Sequence, residues 1–256
     1  MNNTLMLVAQ LVIVALVLGL INALLFGIRY AGIKLEWSTE KRRNIIWRVV
    51  SFLVIWLLFV ASLAYFDFFD NFSSGIPRII LVLAISLVSV IVLSFLPVLA
   101  PLLKVIPAAW FFYIQGFRII MELFLWIGYK AGFVPLQMTF EWLNFDIIVG
   151  ITGPMAGLAF FGKRRYHRFQ AIYWNVFGIA LLINILWIAI LSMPTQFRVF
   201  MNDPSSEFVT SIPFIWIPSF IVPFALAMHL LSLRQLIFHY RHPMKKFLDS
   251  HRRFNK

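Results

Sequence analysis

Hydrophobic positions dominate seven stretches of the chain, at about 5–28, 45–66, 79–96, 108–130, 145–161, 171–193 and 213–238. Several windows, 79–103, 169–197 and 208–233 among them, hold no aspartate, glutamate, lysine or arginine. Their apolar residues run round the whole helical circumference rather than along one stripe, as in a helix surrounded by hydrocarbon. Roughly 20 residues rising 1.5 Å each cover a bilayer core about 30 Å thick. A membrane strand would alternate and needs only about 10 residues. The pattern predicts an all-α polytopic membrane protein with seven transmembrane helices in residues 1–240, followed by a basic tail, 241–256. Connections are short, so no soluble domain is expected between spans. The first stretch lacks a basic leader and meets Arg29 and Lys34 instead of a small-residue cleavage site, so it is expected to remain as a helix.

Composition agrees. The chain is 62% apolar and 12% charged, against about 45–50% and about 25% in soluble domains. A lone water-soluble domain of 256 residues could not hide that much apolar surface. Cysteine is absent, which excludes disulfides, thiolate zinc sites and cysteine nucleophiles.

The net charge of +12 is a topology signal. Arg29, Lys34, Lys41, Arg42, Arg43 and Arg48 follow the first stretch, Lys104 follows the third, and Lys163, Arg164, Arg165 and Arg168 follow the fifth. With Arg234 and the six cations of the tail, eighteen of the 22 lysines and arginines fall on one side. Arg78, Lys130 and Arg198 fall on the other, with six of the ten acids. Positive charge collects on the cytoplasmic side, so the expected orientation is amino terminus outside and carboxyl terminus cytoplasmic. The tail mixes its cations with Phe247, Leu248 and Phe254, which suits an interfacial helix on anionic lipids. The same charges need no nucleic acid.

Ionisable groups at bilayer depth are costly and mark candidate sites. Gln115, Arg118 and Glu122 share one face of the fourth stretch, with Arg118 about 15 Å in from Ala108. Arg118 and Glu122 are four apart and are expected to meet along that face. The stripe can be the floor of a solute or ion site, where Arg118 neutralises an anion or holds Glu122 ionised and Glu122 accepts a proton or cation. It can equally be an ion pair that locks helices together. Asn144 and Asp146 lead into Gly150, Gly153, Pro154 and Gly157, which read either as a broken helix facing a cavity or as a small-residue face for close packing. Prolines at 213, 218 and 223 are expected to distort the start of the last span, and the connection before it, 194–212, reads as a re-entrant lid or a plain amphipathic surface loop. His229 stands alone inside a span, as packing residue or ligand. Asn22, Asn175 and Asn184 read as interhelical hydrogen-bonding residues, and Arg234 as a side chain snorkelling to the inner headgroups.

The last span holds no lysine for a retinal Schiff base, and paired axial histidines for haem are missing. No hydrolase, metalloprotease or phosphate-loop motif occurs. No cofactor, metal site or catalytic residue is therefore expected. Gln137-Met-Thr-Phe-Glu141, Asn144-Phe-Asp146, Phe197-Arg-Val-Phe-Met201 and Leu231-Ser-Leu-Arg-Gln235 resemble an uncharacterised group of bacterial multi-spanning inner-membrane proteins. That resemblance implies a bacterial inner-membrane protein and no activity.

The expected function is binding or translocation of a small solute or ion at Gln115, Arg118, Glu122, Asn144, Asp146 and His229. The alternatives are a non-catalytic membrane partner or assembly protein, and an intramembrane enzyme acting on a lipid or quinone.

Overall fold

The computed structural model describes residues 3–72, 76–162 and 167–239. Seven principal helices follow in chain order: α1 (Asn3–Lys34), α2 (Thr39–Tyr65), α3 (Arg78–Phe95), α4 (Ala108–Lys130), α5 (Asp146–Phe161), α6 (Arg168–Leu191) and α7 (Ile217–Phe238). A short helix, Ala100–Val105, joins α3 to α4. No strand occurs among the described residues. The basic cluster at Lys163, Arg164 and Arg165, and the tail at 241–256 with its expected interfacial helix, lie outside the described residues.

Among the described residues six helices, rather than seven, are long and apolar enough to cross a membrane. The exception is α5, whose 16 residues extend only about 24 Å. Its shortness has a local cause. Gly132 adopts a positive φ of 81°, Pro135 cannot donate, and the stretch from there to Asn144 folds as turns around one 3-10 segment, Leu136–Met138.

The centre of the bundle is α4 and α7, whose apolar windows are 56% and 61% buried. The windows of α1, α2, α3 and α6 are only 11–28% buried, so these helices form the periphery. Around the centre, α1 packs on α4, α5 on α4 and α6, and both α3 and α6 on α7. Outermost is α2, pinned by two indoles: Trp56 Nε1 donates to the Ser219 carbonyl at 3.0 Å, and Trp216 Nε1 to the Leu57 carbonyl at 3.1 Å. The outer faces of α2 and α3 are apolar, with Trp47, Ile55, Leu58, Ile85, Val88 and Val92 all exposed.

Proline shapes both ends of α7. Pro213 lies in turns before the helix, and Pro218 falls in a π-helical opening, Ile217–Ile221, so the expected distortion is present and the helix starts four residues later than the hydropathy suggests. At the other end Arg234 does not snorkel. It is buried, and its Nη1 donates to the carbonyls of Ser94 and Leu96 at 2.7 and 2.9 Å. Pro97 ends α3 and leaves those acceptors free, so a buried cation has nearer partners than any headgroup. Gln235 Nε2 does the same for Leu103 and Ile106, both at 2.6 Å.

Candidate functional site

Gln115, Arg118 and Glu122 point into the bundle, each no more than 1% exposed. The expected partnership of Arg118 with Glu122 is replaced by another. Arg118 Nη1 donates to Asp146 Oδ1 at 2.5 Å, across from α4 to the first residue of α5. Glu122 instead accepts from Asn144 Nδ2 at 2.6 Å. The reason is tertiary: α5 begins beside the middle of α4, so Asp146 presents its carboxylate to Arg118 from a neighbouring helix.

The register comes from glycine. A Cβ at Gly150 would stand 2.8 Å from the Ile119 nitrogen, and one at Gly153 would stand 2.8 Å from the Phe112 carbonyl oxygen. At Gly157 it would meet the Tyr113 ring at 2.6 Å. The three glycines let α5 lie directly on the α4 backbone, and the helix continues through Pro154. Close packing, not a break, is what this motif performs.

From Arg118 the network runs on. Its Nη2 lies 3.4 Å from His229 Nε2, and His229 Nδ1 lies 3.0 Å from Asn175 Oδ1. A guanidinium only donates, so Nε2 accepts and the imidazole is neutral with its proton on Nδ1, donating to Asn175. Asn175 Nδ2 donates to Ser232 Oγ at 3.0 Å and to the Ala171 carbonyl at 2.8 Å. Gly178 makes room for the ring; a Cβ there would lie 2.7 Å from Nε2. Asn144 closes the other end, its Oδ1 accepting from the Asp146 amide at 3.0 Å and its Nδ2 reaching the Met138 carbonyl at 2.9 Å. Five of the six candidate residues thus share one hydrogen-bonded chain. Gln115 sits beside it, bonded through Nε2 to the Ala225 carbonyl of α7 at 3.4 Å.

The network is incompletely satisfied. Glu122 Oε2, Arg118 Nε and Gln115 Oε1 are buried without a hydrogen-bond partner. Arg118, Glu122 and Asp146 also line a cavity of about 80 Å³ whose other lining residues are all apolar. Its walls come from α3 (Ile79, Leu83) and α6 (Leu186, Ile190), and its floor from α4 and α7.

Two connections fold over this centre. Phe133 stacks on Phe214 with centroids 5.4 Å apart, and Phe124 and Phe208 complete a four-ring cluster. In the second connection Ser206, Val209 and Thr210 are buried while Phe197, Val199 and Met201 are exposed, so one half is a lid and the other a surface loop. Gln137 ties the two together, donating to Ser192 Oγ and accepting from Asn202 Nδ2, both at 2.8 Å. Gln137, Ser192, Ser206 and Ser232 are not among the site residues expected from sequence: Gln137 and Ser206 lie in turn-rich stretches without periodic signal, and Ser192 and Ser232 are small hydroxyls at the end of α6 and within α7. Asn184 bridges to the Leu143 carbonyl at 2.9 Å. Asn22 does not bridge helices, returning its amide to Leu18 of its own helix.

Fold and centre together define an all-α bundle, with helices of membrane-crossing length, built around buried charge. The chain belongs to the family described as a domain of unknown function (DUF8737), whose model matches residues 76–237. That range holds every residue of the polar network and its cavity, and leaves out α1 and α2. No curated protein and no solved structure matches the chain.

Proposed function

We propose that the chain is a multi-pass protein of a bacterial inner membrane that binds or translocates a small solute or ion at the centre formed by Arg118, Glu122 and Asp146. Asn144, Gln115 and His229 hold that centre in place. The amino terminus lies outside and the carboxyl terminus in the cytoplasm, a reading supported by the eighteen-to-three division of basic residues between the two faces. The seventh crossing is made jointly by α5 and the buried turns at 131–145. Irregular backbone is tolerated at such depth where protein encloses it, and Phe133, Val134, Gln137, Thr139 and Asn144 are all buried.

The observation that carries the reading is the pair of unpartnered charged-group atoms, Glu122 Oε2 and Arg118 Nε, on side chains that line a cavity. A network serving packing alone is expected to satisfy its members, because an unpaired polar atom in low dielectric is costly. Since the chain has no cysteine, Ala225→Cys places a single thiol on the cavity wall. Small thiol reagents are expected to modify it in the folded, reconstituted protein, while Ile13→Cys, buried away from the cavity, stays unreactive. A thiol at 225 that is inert until the protein is denatured would overturn the reading. That result would favour the second one, a non-catalytic assembly protein, for which the support is the exposed aromatic face of α2 (Trp47, Phe52, Phe59).

A further inference from the structure

The cavity has a composition that selects its occupant. Apart from Arg118, Glu122 and Asp146 every lining side chain is apolar. A hydrated ion or a sugar would lose its water there without replacement. An apolar chain would lose nothing, and at about 80 Å³ the space takes a few groups the size of water (about 30 Å³ each), hence one narrow chain end rather than a two-tailed lipid. Met193, Phe208 and Val209 cover the end nearest the lid, whereas Ile80, Leu186 and Ile190, along the α3 and α6 walls, are part-exposed.

The head chemistry follows from the charges. Two carboxyl groups face one guanidinium, and Arg118 is already engaged by Asp146. The atoms left over are an acceptor, Glu122 Oε2, and a donor, Arg118 Nε, both buried and unpartnered. An anionic head would meet two carboxyl groups and a guanidinium already engaged by one of them; a hydroxyl or amine would complete the bond missing at Glu122. We infer that the ligand of this centre is a single-chain amphiphile whose head donates a hydrogen bond, entering sideways between α3 and α6 and placing its donor on Glu122. The inference rests on the reading of the centre as a binding site and narrows it to a ligand class.

The test uses the full chain in bilayers of neutral lipid with three photoreactive probes sharing one long diazirine chain: a primary alcohol, its methyl ether and the corresponding carboxylic acid. Mass spectrometry locates the labelled residues. The alcohol should label α3 and α6 at Ile79, Leu83, Leu186 or Ile190, roughly tenfold more than the ether or the acid, as expected for one well-formed hydrogen bond. Glu122→Leu should bring alcohol labelling down to the ether's level. Ala189→Trp, which fills the cavity and leaves Glu122 intact, should remove it. Equal labelling by ether and alcohol, stronger labelling by the acid, or labelling unchanged in either variant would overturn the inference. If no probe labels the cavity while the thiol at 225 reacts with small reagents, the amphiphile is wrong and the binding centre stands; an inert thiol sinks both.

Discussion

Breaking the Arg118–Asp146 pair should be far more damaging than removing it whole. Both residues are buried, at 1% and 7% exposure, so Asp146→Leu leaves a guanidinium whose remaining side-chain contact is His229 at 3.4 Å. Arg118→Leu strands the carboxylate in the same apolar surroundings. Removing one member of a buried ion pair costs about 3–5 kcal/mol, whereas replacing both by apolar residues is close to neutral or stabilising. Each single variant should therefore lose about 3–5 kcal/mol, and the double variant should return to within about 1 kcal/mol of the parent. The coupling between the two sites is then at least about 5 kcal/mol, a factor of roughly several thousand in the unfolding equilibrium. Reversible unfolding in mixed micelles, followed by circular dichroism against denaturing detergent, measures all three. Additive losses, within about 0.5 kcal/mol, would refute the reasoning. So would Glu122→Leu rescuing Arg118→Leu as well as Asp146→Leu does, since the helix-internal pair would then be the real one.

Further outcomes are expected from the same geometry. Gly178→Ala should cost about 1–3 kcal/mol by overpacking against the His229 ring, and adding His229→Ala should recover part of that loss in the same unfolding assay. Phe133→Ala should open the ring cluster, destabilise by about 3–5 kcal/mol and speed modification of the thiol in Ala225→Cys; an unchanged rate would show that the lid does not guard the cavity. Asn175→Ala removes three neutral hydrogen bonds and should cost about 2 kcal/mol at about 0.6 kcal/mol for each such bond inside membranes, below the ion-pair variants. Single thiols at Asp67→Cys and Lys104→Cys, both at exposed positions, should react with an impermeant reagent from opposite faces of the membrane, position 67 from outside; reaction from one face alone would refute the proposed topology.

Much of the architecture was legible because it is written locally. A helix in hydrocarbon needs only length and all-round apolar character, so the places of α1 to α4, α6 and α7 follow from the one-dimensional pattern, with ends that differ by up to six residues at Lys34 and Thr39. The stripe of Gln115, Arg118 and Glu122 was visible for the same reason: helical spacing alone puts three residues on one face, whatever surrounds them. Prolines 213 and 218 announced a disturbed start to α7 because a missing N–H acts on its own turn.

Partners were not legible, because they depend on how distant segments are offset from one another. The amino-acid sequence by itself determined that an arginine and a glutamate would be buried in α4; tertiary structure decided that the arginine would belong to Asp146 and the glutamate to Asn144. That choice comes from three glycines drawing α5 against the α4 backbone, and from turns at 131–145 that start α5 halfway along its neighbour. Arg234 was reassigned in the same way, from the membrane surface to the carbonyls freed where Pro97 ends α3. Burial can be encoded residue by residue, whereas pairing is a property of two chain segments held at a particular depth, and only the folded chain sets that depth.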